Sequence, residues 1–228
     1  MNYKIAIDGP SGTGKSTTAK ALAKKLSYIY IDTGAMYRAI GLYCYRNNID
    51  INNEKKVNSI LNKININIYY EGDTQEIKLN DEVVSNAIRE NEISKYASVV
   101  SAYKKVREKL VAIQRDLAKK NSVIMDGRDI GTVVLPDSEL KIYLVASDDI
   151  RAERRYKELI EKGQNVTLEN IKKELIERDY RDMHRDNSPL KKAEDAIEVD
   201  TSNMNVEEVV NTIYEMFNKK VGKTKWNI

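Results

Sequence analysis

Five short apolar runs punctuate the chain: YKIAID at 3–8, YIYID at 28–32, SVIMD at 122–126, LKIYLVA at 140–146 and AIEVD at 196–200. They are rich in β-branched and aromatic residues and lack the alternation of a half-exposed strand. They therefore predict strands buried on both faces. Helical patterns separate them, as in a parallel α/β sheet. Four of the five runs end in Asp: Asp8, Asp32, Asp126 and Asp200. In open α/β sheets, ligands bind beyond the carboxyl ends of the strands, so chemistry is expected there.

Residues 64–84 follow a different rule. ININIYY alternates, EGD supplies a turn, and EIKLNDEVV continues in strand fashion. This predicts a small antiparallel insert with one solvated face. Val99, Ala102, Val106, Leu110, Ile113 and Leu117 then recur at intervals of three and four, predicting a helix over 98–119. Residues 148–186 read as mostly helical and highly charged, broken at Lys162-Gly163-Gln164, with Thr167 as N-cap of the second half. A last helix starts at Asn205, with Glu208 placed for a capping box. The tail VGKTKWNI reads as frayed, with Trp226 a packing or disordered residue.

The expected architecture is a five-stranded parallel sheet flanked by helices, with a small antiparallel β insert and a charged helical segment. A single domain spans 1–228. Its core is 1–34, 105–150 and 190–220, its insert about 35–104, its charged helical segment about 151–186 and its tail 221–228. The chain has 41% hydrophobic residues and 32% charged ones, with a formal net charge of only +3. That balance gives no argument for nucleic acid or an anionic membrane, and no apolar run has transmembrane length. The single cysteine, Cys44, excludes an internal disulfide framework and reads as a small core residue. With no export pattern at the N-terminus, a cytoplasmic location is expected.

The first strand runs directly into Gly9-Pro10-Ser11-Gly12-Thr13-Gly14-Lys15-Ser16, followed by Thr17 and an amphipathic helix. This is G-x-x-x-x-G-K-[ST] in its proper strand-loop-helix setting. Backbone N–H groups of such a loop wrap phosphate oxygens, and the helix N-terminus adds partial positive charge. Lys15 is expected on the β/γ-phosphates of ATP and Ser16 on Mg²⁺. Such loops serve switches, motors, transporters and kinases. The chain lacks the N-K-x-D tetrapeptide of guanine-reading switches and has little room for a mechanical module, which favours a small kinase.

Two further strand ends carry charge: DTGAMYRA places Thr33 and Arg38, and DGRDIGTVVLPD places Asp126, Arg128 and Asp129. With DGPSGTGKST, ERDYRD and SPLKKAEDA, in that order over residues 8–196, the chain resembles the bacterial cytidylate kinases, nucleoside monophosphate kinases for CMP and dCMP. The resemblance implies a P-loop NTPase-type kinase domain over 1–228 with a helical lid at about 151–186, and in-line transfer of the γ-phosphoryl group of ATP to CMP or dCMP with Mg²⁺. It assigns Gly9 to Thr17 to ATP, Thr33 to the ribose side of CMP, and Arg38 to its phosphate. Ser98, Arg107 and Asp129 would read cytosine, Arg128 and Arg185 the acceptor phosphate, and Arg178 and Asp182 the ribose. Arg151, Arg154 and Arg155 open the lid and would approach the ATP phosphates. Lys15, Arg128, Arg154 and Arg185 are the expected catalytic groups. A monomer is expected, with ATP, CMP and dCMP as partners.

Cytosine offers an amino donor and ring acceptors, which suit an Asp and an Arg. Uracil turns an acceptor toward that Asp, so selection works by repulsion as well. Two alternatives remain: a kinase for UMP or a small metabolite, and a non-catalytic nucleotide-binding module. The family often has Pro before the Val-Arg pair, where this chain has Tyr103-Lys104-Lys105. On one unbroken helix Ser98 and Arg107 lie on opposite sides at about 100° per residue, so both reach one base only if the chain bends near 100–104. The run RDYRDMHRDNSPL (178–190) reads first as a solvated, salt-bridged face. Read as a site, it places Arg178, Asp182 and Arg185 on one helical face, with Asp179 and Asp186 turned to solvent. Arg178 would pair with Asp182 until CMP arrives, and His184 is a surface or lid residue.

Overall fold

The computed structural model describes residues 2–72 and 74–222; of the expected frayed tail, residues 223–228, with Trp226, lie outside the described residues. The chain forms two compact units, 1–30 with 121–228, and 31–120.

In the first unit the predicted strands appear as β1 (Lys4–Asp8), β2 (Ile29–Asp32), with β3–β5 following in the second unit, then β6 (Val123–Gly127), β7 (Leu140–Val145) and β8 (Ile197–Asp200). They form one sheet in the order β2-β6-β1-β7-β8. The β1–β6, β1–β7 and β7–β8 pairs are all parallel. The chain passes into the second unit within β2. Helices α1 (Lys15–Leu26) and α8 (Val206–Lys220) bury Leu22, Ile213 and Phe217 with Ile5, Ile7, Ile124, Leu140 and Leu144. Phe217 meets Tyr3 and Tyr28 edge-on, with centroids 5.6 and 5.9 Å away, the geometry favoured by aromatic quadrupoles. The predicted capping box forms: Glu208 N donates to Asn205 Oδ1 at 3.0 Å and Asn205 N to Glu208 Oε2 at 2.8 Å.

The charged region 148–186 splits as expected into α6 (Asp148–Glu161) and α7 (Leu168–His184). Asn170 N donates to Thr167 Oγ1 at 3.3 Å, which confirms the cap. Ala152, Leu159 and Ile171 form a small core of their own.

The second unit holds α2 (Thr33–Arg46), α3 (Glu54–Ile60), α4 (Asn91–Val100) and α5 (Lys104–Lys120). The antiparallel insert is β3 (Ile66–Glu71), β4 (Thr74–Leu79) and the short β5 (Glu82–Val83). Register Ile66↔Leu79 and Ile68↔Ile77 stacks the apolar residues of β3 and β4 on one face. That face packs with Met36, Ile40, Ile88, Ile93 and Leu110. Cys44 is buried in this core, and burial pushes its thiol up to about 11.

The single helix predicted over 98–119 is corrected to two. Ala102 N bonds Val99 O at 3.1 Å and Tyr103 N bonds Val100 O at 3.2 Å, closing α4 in tight i→i+3 turns. Tyr103 Oη donates to the Ile51 carbonyl at 2.6 Å. The phenol thus anchors the break where the sequence has no proline.

Candidate active site

The phosphate loop joins β1 to α1. Gly12 has φ +78°, and a Cβ there would lie 3.0 Å from Arg151 Cβ. Gly14 has φ +87° with open space around it, so its backbone can approach a ligand closely. Lys15 is buried, and its Nζ donates to the Pro10 carbonyl and, at 3.3 Å, to Thr13 Oγ1. Burial, reinforced by the nearby Arg128 charge, holds the Lys15 pKa well below its ordinary value. A phosphate brought here would restore the ammonium form. Thr201, which follows β8, donates from Oγ1 to the Thr13 carbonyl at 3.1 Å.

Ser16 Oγ donates to Asp126 Oδ2 at 2.7 Å, and Tyr30 Oη donates to Asp126 Oδ1 at 2.9 Å. Asp126 is 5% exposed. A hydroxyl and a carboxylate side by side are hard oxygen donors suited to Mg²⁺, which keeps several of its waters. Asp126 stood out in the sequence only as a strand end; its contact with Ser16 could not be read from spacing.

Beyond β6, residues Ile130–Val134 form a single π-helical turn. The buried Asp8 carboxylate organises it: Ile130 N donates to Oδ1 at 2.8 Å and Gly131 N to Oδ2 at 2.7 Å. Burial pushes Asp8 up to about 7, against these two amides. The turn presents Arg128 and Asp129. Arg128 Nε donates to Asp182 Oδ2 at 2.8 Å and its Nη2 to Ser11 Oγ at 2.7 Å. Asp129 is 4% exposed and lies 3.8 Å from Arg185 Nη2.

On α7 the structure gathers most of the predicted face. Asp182 is buried, Arg178 half-buried, and Arg185 stands just past the helix end with its Nη1 3.9 Å from Asp182. Burial pushes the Asp182 carboxyl up, but Arg128, Arg178 and Arg185 outweigh it and hold it below the usual carboxylate range. Arg128 pairs closely with Asp182, and the charge of Arg178, expected as its partner, also lowers the pKa of the same carboxylate. Asp186 and Arg181 are exposed. Asp179 corrects the sequence reading: it is 5% exposed and turned inward, paired with Arg151. An i, i+3 offset from Asp182 puts both carboxylates on the inner side. His184 is exposed and stacks on Tyr180, with centroids 4.0 Å apart.

The three arginines expected in a lid separate. Arg151 is buried and bonds Asp179, Asp148 and, at 2.8 Å, the Ser11 carbonyl. Arg154 donates to Thr201 Oγ1 at 3.1 Å and to the Thr201 carbonyl at 2.6 Å. Arg155, half-buried on α6, pairs with Glu158 at 2.7 Å.

In the second unit, Asp32 caps α2 by accepting from Ala35 N at 2.9 Å, and it pairs with Arg89 at 2.8 Å. This fixes the helix start that carries buried Thr33 and half-buried Arg38. Arg107 is 4% exposed, donates to the Ser101 carbonyl at 3.3 Å, and lies over the Tyr37 ring at 5.5 Å. Ser98 is half-buried, its carbonyl accepting from Ser101 Oγ at 2.9 Å. The break between α4 and α5 falls between Ser98 and Arg107, where the sequence reading asked for a bend.

A parallel sheet ending in a Lys15–Ser16 phosphate loop, with an Asp beside the loop serine and a helical arm bearing arginines, defines a phosphate-loop kinase. A gluconokinase from Sinorhizobium meliloti shares the fold, with a TM-score of 0.50 at 13% identity over 98% of each chain. An uncharacterized protein from Eubacterium ventriosum shares it at 0.52 and 13%, covering 96% of this chain and 99% of its own. The sequence profile described as cytidylate kinase matches residues 5–219. The cytidylate kinase of Caldicellulosiruptor saccharolyticus is 53% identical over 96% of both chains, and that of Lactobacillus gasseri is 51% identical over 95% of this chain and 94% of its own. The chain belongs to the cytidylate kinase family.

Proposed function

We propose that this protein transfers the γ-phosphoryl group of ATP to CMP or dCMP, giving ADP and the cytidine diphosphate. The observation that carries the reading is the complete phosphate loop, with Lys15 buried at its centre and Ser16 in contact with Asp126, in a chain of this family. Ser16 and Asp126 would hold Mg²⁺, which supplies positive charge to the transferring phosphates.

The acceptor phosphate is already an anion, so the reaction needs no general base. The protein's work is positioning and charge stabilisation. The loop amides and Lys15 hold the donor phosphates. Arg128 and Arg185, kept near Asp182 and Asp129, are assigned to the acceptor phosphate, and Arg178 and Asp182 to the ribose. Arg154, beside Thr201 and the loop, is the lid arginine best placed for the donor side. In the second unit Arg38 is assigned to the acceptor phosphate, Thr33 to the ribose side, and Ser98 and Arg107, with Asp129, to cytosine. The helical arm would exclude water, the competing phosphoryl acceptor. No helix among the described residues is long and apolar enough to cross a membrane; we place the enzyme in the cytoplasm as a monomer.

Incubating the protein with ATP, CMP and Mg²⁺ should give CDP and ADP in equal amounts, and chelating the cation should stop the reaction. ATP binding with no transfer to any nucleoside monophosphate would overturn the proposal.

A further inference from the structure

Three segments of the first unit meet at one residue of the phosphate loop. Ser11 N donates to Asp179 Oδ1 at 3.0 Å. The Ser11 carbonyl accepts from Arg151 Nη1 at 2.8 Å, and the same guanidinium pairs with Asp179 Oδ2. The result is a closed ring of loop, α6 and α7. Asp179 and Arg151 are both about 5% exposed, so the pair works where water does not screen it. Gly12, next in the loop, lies directly against Arg151: a Cβ there would sit 3.0 Å from Arg151 Cβ and 3.1 Å from its carbonyl oxygen.

The two peptide groups flanking Ser11 are therefore both held. A trans peptide is planar, with its N–H and C=O pointing in opposite directions. Tying Ser11 N–H to Asp179 fixes the Pro10 carbonyl on the far side of that plane. This carbonyl is the resting partner of Lys15 Nζ and also accepts from Thr13 Oγ1 at 3.1 Å. Tying the Ser11 carbonyl to Arg151 likewise turns the Gly12 N–H away from the lid helices. Arg151, expected on the ATP phosphates, has its guanidinium engaged by protein groups and acts through the loop backbone.

We propose that Asp179 is a positioning residue for the donor site: with Arg151 it clamps the peptide planes at Ser11, holding Lys15 and the loop amides ready for the ATP phosphates. The proposal rests on the kinase reading only for the identity of the donor.

The test is calorimetric binding of ATP with Mg²⁺, without acceptor, alongside steady-state KM values for ATP and CMP. Asp179→Asn keeps an acceptor for Ser11 N–H but loses the charge facing Arg151; it should weaken ATP binding at least fivefold. Asp179→Ala loses both and should weaken it at least tenfold, with the KM for CMP within twofold of wild type. Adding Arg151→Ala to Asp179→Ala should cost little more than Asp179→Ala alone, because the two act as one unit. Folded Asp179 variants that bind ATP within twofold of wild type would overturn the proposal. So would losses that simply multiply in the double variant. If Asp179→Ala does not fold, the near-isosteric Asp179→Asn decides; failure of both to fold assigns Asp179 to stability alone and also overturns it. Wild-type protein that binds ATP but phosphorylates no CMP would sink the kinase reading and leave the clamp standing.

Discussion

Arg128 shows how one side chain can serve two partners. Its Nε holds Asp182 and its Nη2 holds the Ser11 hydroxyl, so the group assigned to the acceptor phosphate waits in a fixed orientation. Arg128→Ala should raise the KM for CMP at least thirtyfold and lower kcat, while ATP affinity stays within threefold, since the loop backbone is held by Asp179 and Arg151 instead. Equal losses for both nucleotides would mean that Arg128 mainly supports the fold. Residue identities at the loop were legible because the motif is contiguous and its backbone geometry demands its glycines. Asp179 was not legible. A helical repeat shows which residues share a face, but in a run charged on all sides it does not show which carboxylate turns inward.

At the scale of elements, the bend between α4 and α5 hangs on a side chain. The bond from Tyr103 Oη to the Ile51 carbonyl bridges sequence-distant backbone. Tyr103→Phe should cost about 1 kcal/mol and lower the melting temperature by roughly 2–4 °C for a chain of this size. It should raise the KM for CMP three- to tenfold, through the nearby Arg107, and leave the KM for ATP unchanged. An unchanged KM for CMP would detach the bend from acceptor binding. The inner strands β1 and β6 were legible because burial on both faces writes itself as an unbroken apolar run; β8 corrects that expectation, since it lies at the sheet edge and only Val199 of its four residues is buried. The helix break was legible only as a condition for Ser98 and Arg107 to meet, since the apolar spacing continues through Ala102 and no proline marks the break. The π-helical turn after β6 escaped because its organiser, Asp8, lies more than 100 residues away in sequence.

At the scale of the whole molecule, Asp8 ties stability to pH. Its folded pKa is raised from 3.8 to about 7 by burial. Between those values the native state holds a proton that the unfolded chain has lost. The stabilising contribution of this group is therefore complete below about pH 4 and declines as the pH rises through about 7. Asp8→Asn cannot titrate, so its stability relative to wild type should improve steadily from pH 4.5 to pH 8 in denaturant melts. A constant difference across that range would mean that Asp8 stays ionised in the folded protein. The central claim is the proposal that this member of the cytidylate kinase family prefers cytidine monophosphates among acceptors. Its most direct test is kcat/KM for CMP, dCMP, UMP, AMP and GMP in an ADP-release assay. CMP and dCMP should exceed the other three at least tenfold; UMP or AMP outrunning CMP tenfold would contradict the account.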